Sequence, residues 1–191
     1  MFLPKFLARG NGHIVNTASV AGLFPFAGSR MPYAAAKAAN ISLTQNLAIY
    51  LEPKGIRVSC LIPGPVMTEV SDAMTSWTTD AQMRGPGIEL ELTVAEDVAL
   101  TLADGMCDCK ILIPTHEIAW AVIERWALRP DAFLRERIEE FAAGRSGRPH
   151  VSEAMRERAR AKGITVPHGA TRNSSRQQCP GLQFGALGAC Q

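Results

Sequence analysis

Tyr33-Ala34-Ala35-Ala36-Lys37 opens the longest helical pattern in the chain, and the elements on either side of it decide the fold. A tyrosine and a lysine four residues apart lie on one helix face, about one turn from each other, so the ammonium can sit near the phenol. A cation beside a phenol in a partly desolvated site is the kind of arrangement that makes a proton donor and acceptor usable near neutral pH. On its own the pentapeptide is more often just one face of an amphipathic helix. Upstream runs Gly12-His13-Ile14-Val15-Asn16-Thr17-Ala18-Ser19-Val20-Ala21-Gly22, which reads as an apolar strand stopping at small hydroxylated residues. In an open α/β sheet ligands bind at the carboxyl ends of strands, which places the Ser19 hydroxyl at a reaction edge. Downstream, Ile56-Arg57-Val58-Ser59-Cys60-Leu61-Ile62 reads as a second strand, broken by Pro63-Gly64-Pro65-Val66-Met67-Thr68.

In this order and spacing, IVNxxS, YxxxK and a strand ending in PGxVxT resemble the short-chain dehydrogenase/reductase (SDR) family over Gly12 to Thr68. The resemblance implies an α/β fold: the C-terminal part of a Rossmann-like doubly wound parallel sheet, about three strands with flanking helices. It implies an NAD- or NADP-dependent oxidoreductase acting on a secondary alcohol or ketone. Tyr33 matches the family's general acid/base, and Ser19 the hydroxyl that orients the reacting oxygen. Lys37 matches the residue that assists the tyrosine and bonds the ribose of the nicotinamide nucleotide. Pro63 and Gly64, with Val66 and Thr68 following, match the segment that packs beside the nicotinamide and bonds its carboxamide or the phosphates.

The family's opening strand and its glycine-rich TGxxxGxG turn, which holds the pyrophosphate at a helix N-terminus, have no counterpart in the sequence. Met1 to Arg9 reads as the end of the helix that precedes the serine strand. The expectation is therefore a C-terminal portion lacking the cofactor-binding half, with Ile14-Val15-Asn16 forming an open, apolar sheet edge. The alternative to an active oxidoreductase is a catalytically inactive truncated SDR fragment that acts through association with a full-length subunit. The family builds a subunit interface from the YxxxK helix and its predecessor. A homo-oligomer is thus expected of the full-length protein and not of this chain.

A hydrophobic content of 47% is ample for a core, and a net charge of +2 calls for no nucleic-acid or membrane partner. Small-molecule partners and like subunits fit better. Five cysteines in no framework spacing, with Cys107-Asp108-Cys109 lacking nearby His or Cys partners, predict no metal site. No apolar run approaches the length of a membrane span, and a cytoplasmic setting is expected.

Between the two motifs, Leu23 to Pro32 is a Gly-, Pro- and aromatic-rich loop. The resemblance makes it a wall of the substrate pocket, with Phe24 and Phe26 as apolar lining; ordinary loop packing explains the same residues. The helix from about Tyr33 to Leu51 carries Ala36, Ala39, Leu43, Leu47 and Leu51 at three- and four-residue spacing and ends at Pro53 and Gly55. Thr68 to Leu92 falls where the family has its substrate-binding lid, so Met74, Trp77 and Met83 are candidate substrate contacts or generic core fillers. Thr93-Val94-Ala95-Glu96 has the form of a capping box opening a helix to about Met106.

Lys110 to Glu117 reads as a short buried strand and resembles the family's YILTHPE ending. The resemblance gives the proton chemistry to Tyr33, so His116 is expected to be structural or to bond a loop. Helices follow, with Ile118, Val122, Ile123 and Trp126 on one apolar stripe and Phe133, Leu134, Ile138 and Phe141 on the next, the second from Asp131 to Ala142. Residues 1–145 make the partial SDR domain, 146–163 a solvated helix or linker of alternating charge, and 164–191 a disordered tail.

Overall fold

A computed structural model of the chain describes residues 2–26, 28, 30–68, 90–143 and 151–161. Along the chain come α1 (Leu3–Arg9), β1 (Gly12–Thr17), α2 (Met31–Leu51), β2 (Ile56–Ile62), β3 (Val66–Met67), β4 (Thr93–Val94), α3 (Ala95–Cys107), β5 (Leu112–Pro114), α4 (Ile118–Leu128), α5 (Pro130–Ala142) and α6 (Glu153–Ala161). β1, β2 and β5 form a parallel sheet in that order, with Gly12 opposite Ile56, Thr17 opposite Leu61 and Cys60 opposite Leu112. β2 is the middle strand and is buried at every position but Arg57, as a strand covered on both faces must be. Among the described residues β1 has a neighbour on one side only.

Alternation along β2 separates the two faces. Ile56 and Val58 pack with Ala48 and Leu51 of α2, and α1 adds Leu3 and Phe6 to the same cluster. Further along, Cys60 and Ile62 join Ile41, Phe24, Ala119, Val122 and Phe133. Leu61 pairs with Ile113 on the opposite face, where Gly105 of α3 lies so close that an added Cβ would stand 2.7 Å from the Ile113 side chain. Helices thus cover both faces of a parallel sheet, the doubly wound arrangement expected from the sequence.

Two left-handed glycines make the connections tight. Gly10, at φ 63°, caps α1, and Gly55, at φ 78°, follows the 3-10 turn Glu52–Lys54 that ends α2. The turns abut so closely that a Cβ on Gly55 would strike the Gly10 carbonyl oxygen, which excludes any side chain on two counts.

At the amino edge of the sheet His13 Nε2 donates to Ser59 Oγ (2.9 Å), and Ser59 donates in turn to the Lys110 carbonyl (2.7 Å). His13 Nδ1 is buried without a partner among the described residues, so a second ring proton would have nowhere to bond. Burial, and then the Arg57 charge, push the His13 pKa below its usual 6.5. The unfolded chain therefore binds the proton first, and this contribution to stability is complete above pH 6.5 and lost as pH falls through the lowered folded-state value. Thermal midpoints measured between about pH 5 and 8 should decline on the acid side, and His13→Gln should flatten part of that decline. A pH profile identical in the two proteins would disprove the role.

Several elements differ from the sequence reading for identifiable reasons. β1 stops at Thr17, and Ser19 instead caps a 3-10 turn at Val20–Gly22. Met31 and Pro32 extend α2 backwards, since proline is tolerated in a first helical turn. α2 buries Ile41, Thr44, Ala48 and Leu51, whereas Ala36, Ala39 and Leu43 of the predicted stripe face outwards. The helix carries apolar residues on both sides, and periodicity cannot tell which side meets the sheet. No capping box forms at Thr93: its backbone pairs in parallel with Val66, and Val94 takes the N-cap position without a side-chain bond. Glu96 and Asp97 still put negative charge in the first turn. α6 is not surrounded by solvent, because Met155 and Ala159 are buried, Met155 packs with Val94 and Val151, and Arg158 makes a two-pronged bond to Asp97 (2.9 and 3.2 Å). Residues 162–191 lie outside the described residues.

Candidate active site

Ser19 and the Pro63-Gly64 turn lie at the carboxyl ends of β1 and β2, and Lys37 of α2 bonds to the end of β1. Past Thr17 the backbone of β1 stays tied to β2, with Ala18 N donating to the Leu61 carbonyl (2.8 Å) and Val20 N to the Pro63 carbonyl (3.0 Å). Ser19 sits between these two bonds, next to the Pro63-Gly64 turn. It is 9% exposed, and its Oγ accepts from the Ala21 amide at 3.2 Å, which leaves the hydroxyl proton free to donate.

Tyr33 and Lys37 stand on the first turns of α2. Tyr33 is 42% exposed, with the Lys37 ammonium 5.6 Å from its ring centroid and the Arg30 guanidinium 5.9 Å away. Lys37 Nζ donates to the Thr17 carbonyl at 3.0 Å, binding the helix to the end of the serine strand. An ammonium has three donors, so two are without a hydrogen-bond partner among the described residues. What brings α2 this close is Gly22: a Cβ there would run into the backbone of Lys37 and Ala38.

Sequence reading missed the polar support around this lysine. Asn40 Nδ2 also donates to the Thr17 carbonyl (3.2 Å). Asn16 Nδ2 bonds Thr44 Oγ1 (3.0 Å), which itself donates to the Asn40 carbonyl (2.8 Å). Asn40 lies three positions after Lys37, and Asn16 is a polar residue inside an apolar strand; those were the available signals.

Pro63, Gly64 and Val66 are half-buried at the end of β2, and Thr68 is exposed. Phe24 lies in the core at 5% exposure, its ring 5.4 Å from that of Phe26, which is half-buried and packs against the core. Of the two aromatic residues, only Phe26 offers surface to the loop's outer side. Met74, Trp77 and Met83 lie outside the described residues. A cavity of about 320 Å³ lined by Thr93, Thr115, His116, Ser152 and Arg158 does not include Ser19, Tyr33 or Lys37. No group of three or more metal-binding side chains occurs among the described residues, and no described helix is long and apolar enough to cross a membrane.

A parallel sheet flanked by helices, with a serine after one strand, a tyrosine and lysine on the next helix and a Pro-Gly turn after the next strand, is a Rossmann-like arrangement. Residues 1–79 match the family model for short chain dehydrogenases. Dehydrogenase/reductase SDR family member 4 of Oryctolagus cuniculus is 42% identical over 80 residues, covering 42% of this chain and 30% of that protein. The uncharacterized oxidoreductase YbbO of Escherichia coli (strain K12) is 32% identical over 131 residues, 67% of this chain and 48% of that one. A short chain dehydrogenase/reductase from Burkholderia phymatum, solved in complex with NAD, superposes with a TM-score of 0.50 at 29% identity, over 75% of this chain and 53% of that one. The chain belongs to the short-chain dehydrogenase/reductase family. It spans less than half the length of these two curated relatives.

Proposed function

We propose that the protein is an NAD- or NADP-dependent oxidoreductase that interconverts a secondary alcohol and a ketone, with Tyr33 as general acid/base. The observation that carries this is the placement of Tyr33 and Lys37 on one exposed turn of α2, with Lys37 bonded to the strand end that leads into Ser19.

The described residues suit the nicotinamide and its ribose. Lys37 keeps two unused donors for ribose hydroxyls, and Val66 and Thr68 follow the Pro63-Gly64 turn at the same edge. Residues for the pyrophosphate and adenosine are not among them. When bound, the cofactor supplies or accepts the hydride. In reduction, the Tyr33 phenol gives its proton to the ketone oxygen as that oxygen becomes an alcohol. In oxidation, it takes the proton back. The Ser19 hydroxyl makes a hydrogen bond to the same oxygen, without transferring its proton, and fixes the oxygen's position. The core position of Phe24 leaves Phe26 as the apolar residue of this loop favouring a hydrophobic substrate, with Met74 and Trp77 as further candidates from the sequence.

The outer edge of β1, without a strand beside it among the described residues, favours a second reading, in which the chain acts only beside another subunit that supplies the adjoining strand. The outward side of α2, with Leu43 56% and Ile49 77% exposed, would serve a like-subunit contact. Titration of the purified chain with NADH and NADPH, followed by fluorescence, separates the readings. Saturation at micromolar concentration supports the first. No binding by the chain alone, but binding on mixing with a full-length SDR subunit that exceeds what this subunit binds by itself, supports the second.

A further inference from the structure

The turn Pro63-Gly64-Pro65 is held from three directions. Val20 donates to the Pro63 carbonyl (3.0 Å), Thr93 to the Pro65 carbonyl (3.0 Å), and the Gly64 amide donates to Thr115 Oγ1 (3.0 Å). The third bond leads to His116. Its Nε2 lies 2.7 Å from the Glu91 carbonyl oxygen, which can only accept, so Nε2 carries a proton. In the neutral ring Nδ1 is then an acceptor, and at 2.9 Å it receives the Thr115 hydroxyl proton. With the ring neutral each group then has one role: the Gly64 amide donates to Thr115, Thr115 to His116, and His116 to Glu91. The imidazole also lies directly against the turn, since a Cβ on Gly64 would strike its ring.

We propose that His116 is a positioning residue for this turn: as a neutral imidazole protonated at Nε2, it joins Thr115 to the Glu91 carbonyl and so fixes the Gly64 amide. Its bearing on function rests on the proposed role of the Pro63-Gly64 turn beside the nicotinamide. A histidine that touches neither substrate nor cofactor then sets the shape of the wall against which the nicotinamide lies. The cavity beside it leaves the ring accessible on one side, so packing alone does not hold it in place.

The test uses the purified chain with His116→Phe, which keeps the ring against Gly64 but removes both bonds, and His116→Gln, which returns a donor near the Nε2 position. Three quantities are read: the imidazole tautomer by nitrogen NMR, hydrogen exchange at the Gly64 amide, and NADH affinity. The expected results are the Nε2-protonated form in the parent protein, Gly64 exchange and NADH dissociation constant each raised about tenfold by His116→Phe, and partial recovery of both in His116→Gln. An Nδ1-protonated ring, or unchanged Gly64 exchange in His116→Phe, overturns the clasp. Faster exchange with unchanged NADH affinity overturns the link to the cofactor site. If the parent protein binds neither NADH nor NADPH, the proposed function fails, while the tautomer and exchange data still decide the clasp; if it binds NADPH alone, that cofactor replaces NADH in the affinity reading. Should His116→Phe not fold, the tautomer of the parent and the exchange rate in His116→Gln decide it alone.

Discussion

Tyr33→Phe is expected to lower turnover of a hydrophobic ketone by about 10²–10⁴-fold, the range supplied by a general acid/base, with cofactor affinity largely kept. The substitution removes one oxygen and nothing else. The ring that stays behind still faces Lys37 at 5.6 Å and Arg30 at 5.9 Å, and Lys37 still reaches the Thr17 carbonyl. With 42% of Tyr33 exposed and its hydroxyl unbonded among the described residues, the fold has little to lose. Equal unfolding midpoints for the two proteins, alongside NADH titrations, would show that only the proton transfer is gone. Turnover close to that of the parent would remove Tyr33 from the role.

Gly22→Ala should cost about 3 kcal/mol of stability, measured as the shift in the urea midpoint at constant slope. The methyl would meet the backbone of Lys37 and Ala38 within an intact helix, where no side chain can rotate aside. Either the 3-10 turn after Ser19 or the first turns of α2 must retreat, and both carry the site. A suitable control is Gly28→Ala, where the new carbon would stand 3.7 Å from the Phe141 ring, an ordinary contact. Equal losses in the two variants would show that the helix tolerates displacement. A loss at Gly22 alone should be accompanied by weaker cofactor binding, because Lys37 moves with the helix.

Much of this site was legible without coordinates. The motifs around Ser19, Tyr33, Lys37 and Pro63-Gly64 belong to separate elements, yet their order along a βαβ unit sends all of them to the carboxyl edge of a parallel sheet. His116 was legible as a loop-bonding residue, though not its partners. The capping pattern at Thr93 misled, because a backbone pairing with Val66 across the chain outweighs a local side-chain bond. The stripe on α2 misled for a related reason: Leu43 and Ala48 are equally apolar to a pattern, and which of them turns inwards follows from tertiary contacts, the packing of Ala48 and Leu51 on β2 and the fit of Gly22 against the Lys37-Ala38 backbone.

By itself, then, the sequence determined the three strands of the main sheet, the helices beside them and the candidate chemistry-bearing side chains, because periodicity and turn residues act over a few positions at a time. Tertiary structure decided the rest. It set the rotation of α2, the burial of Phe24, the docking of Met155 and Arg158 of α6 on the β4–α3 region, and the bonds from Lys37 to Thr17 and from His116 to Glu91. These depend on atoms distant along the chain coming into contact with each other. No local pattern records such distances, since they arise only when the whole backbone has closed around the sheet.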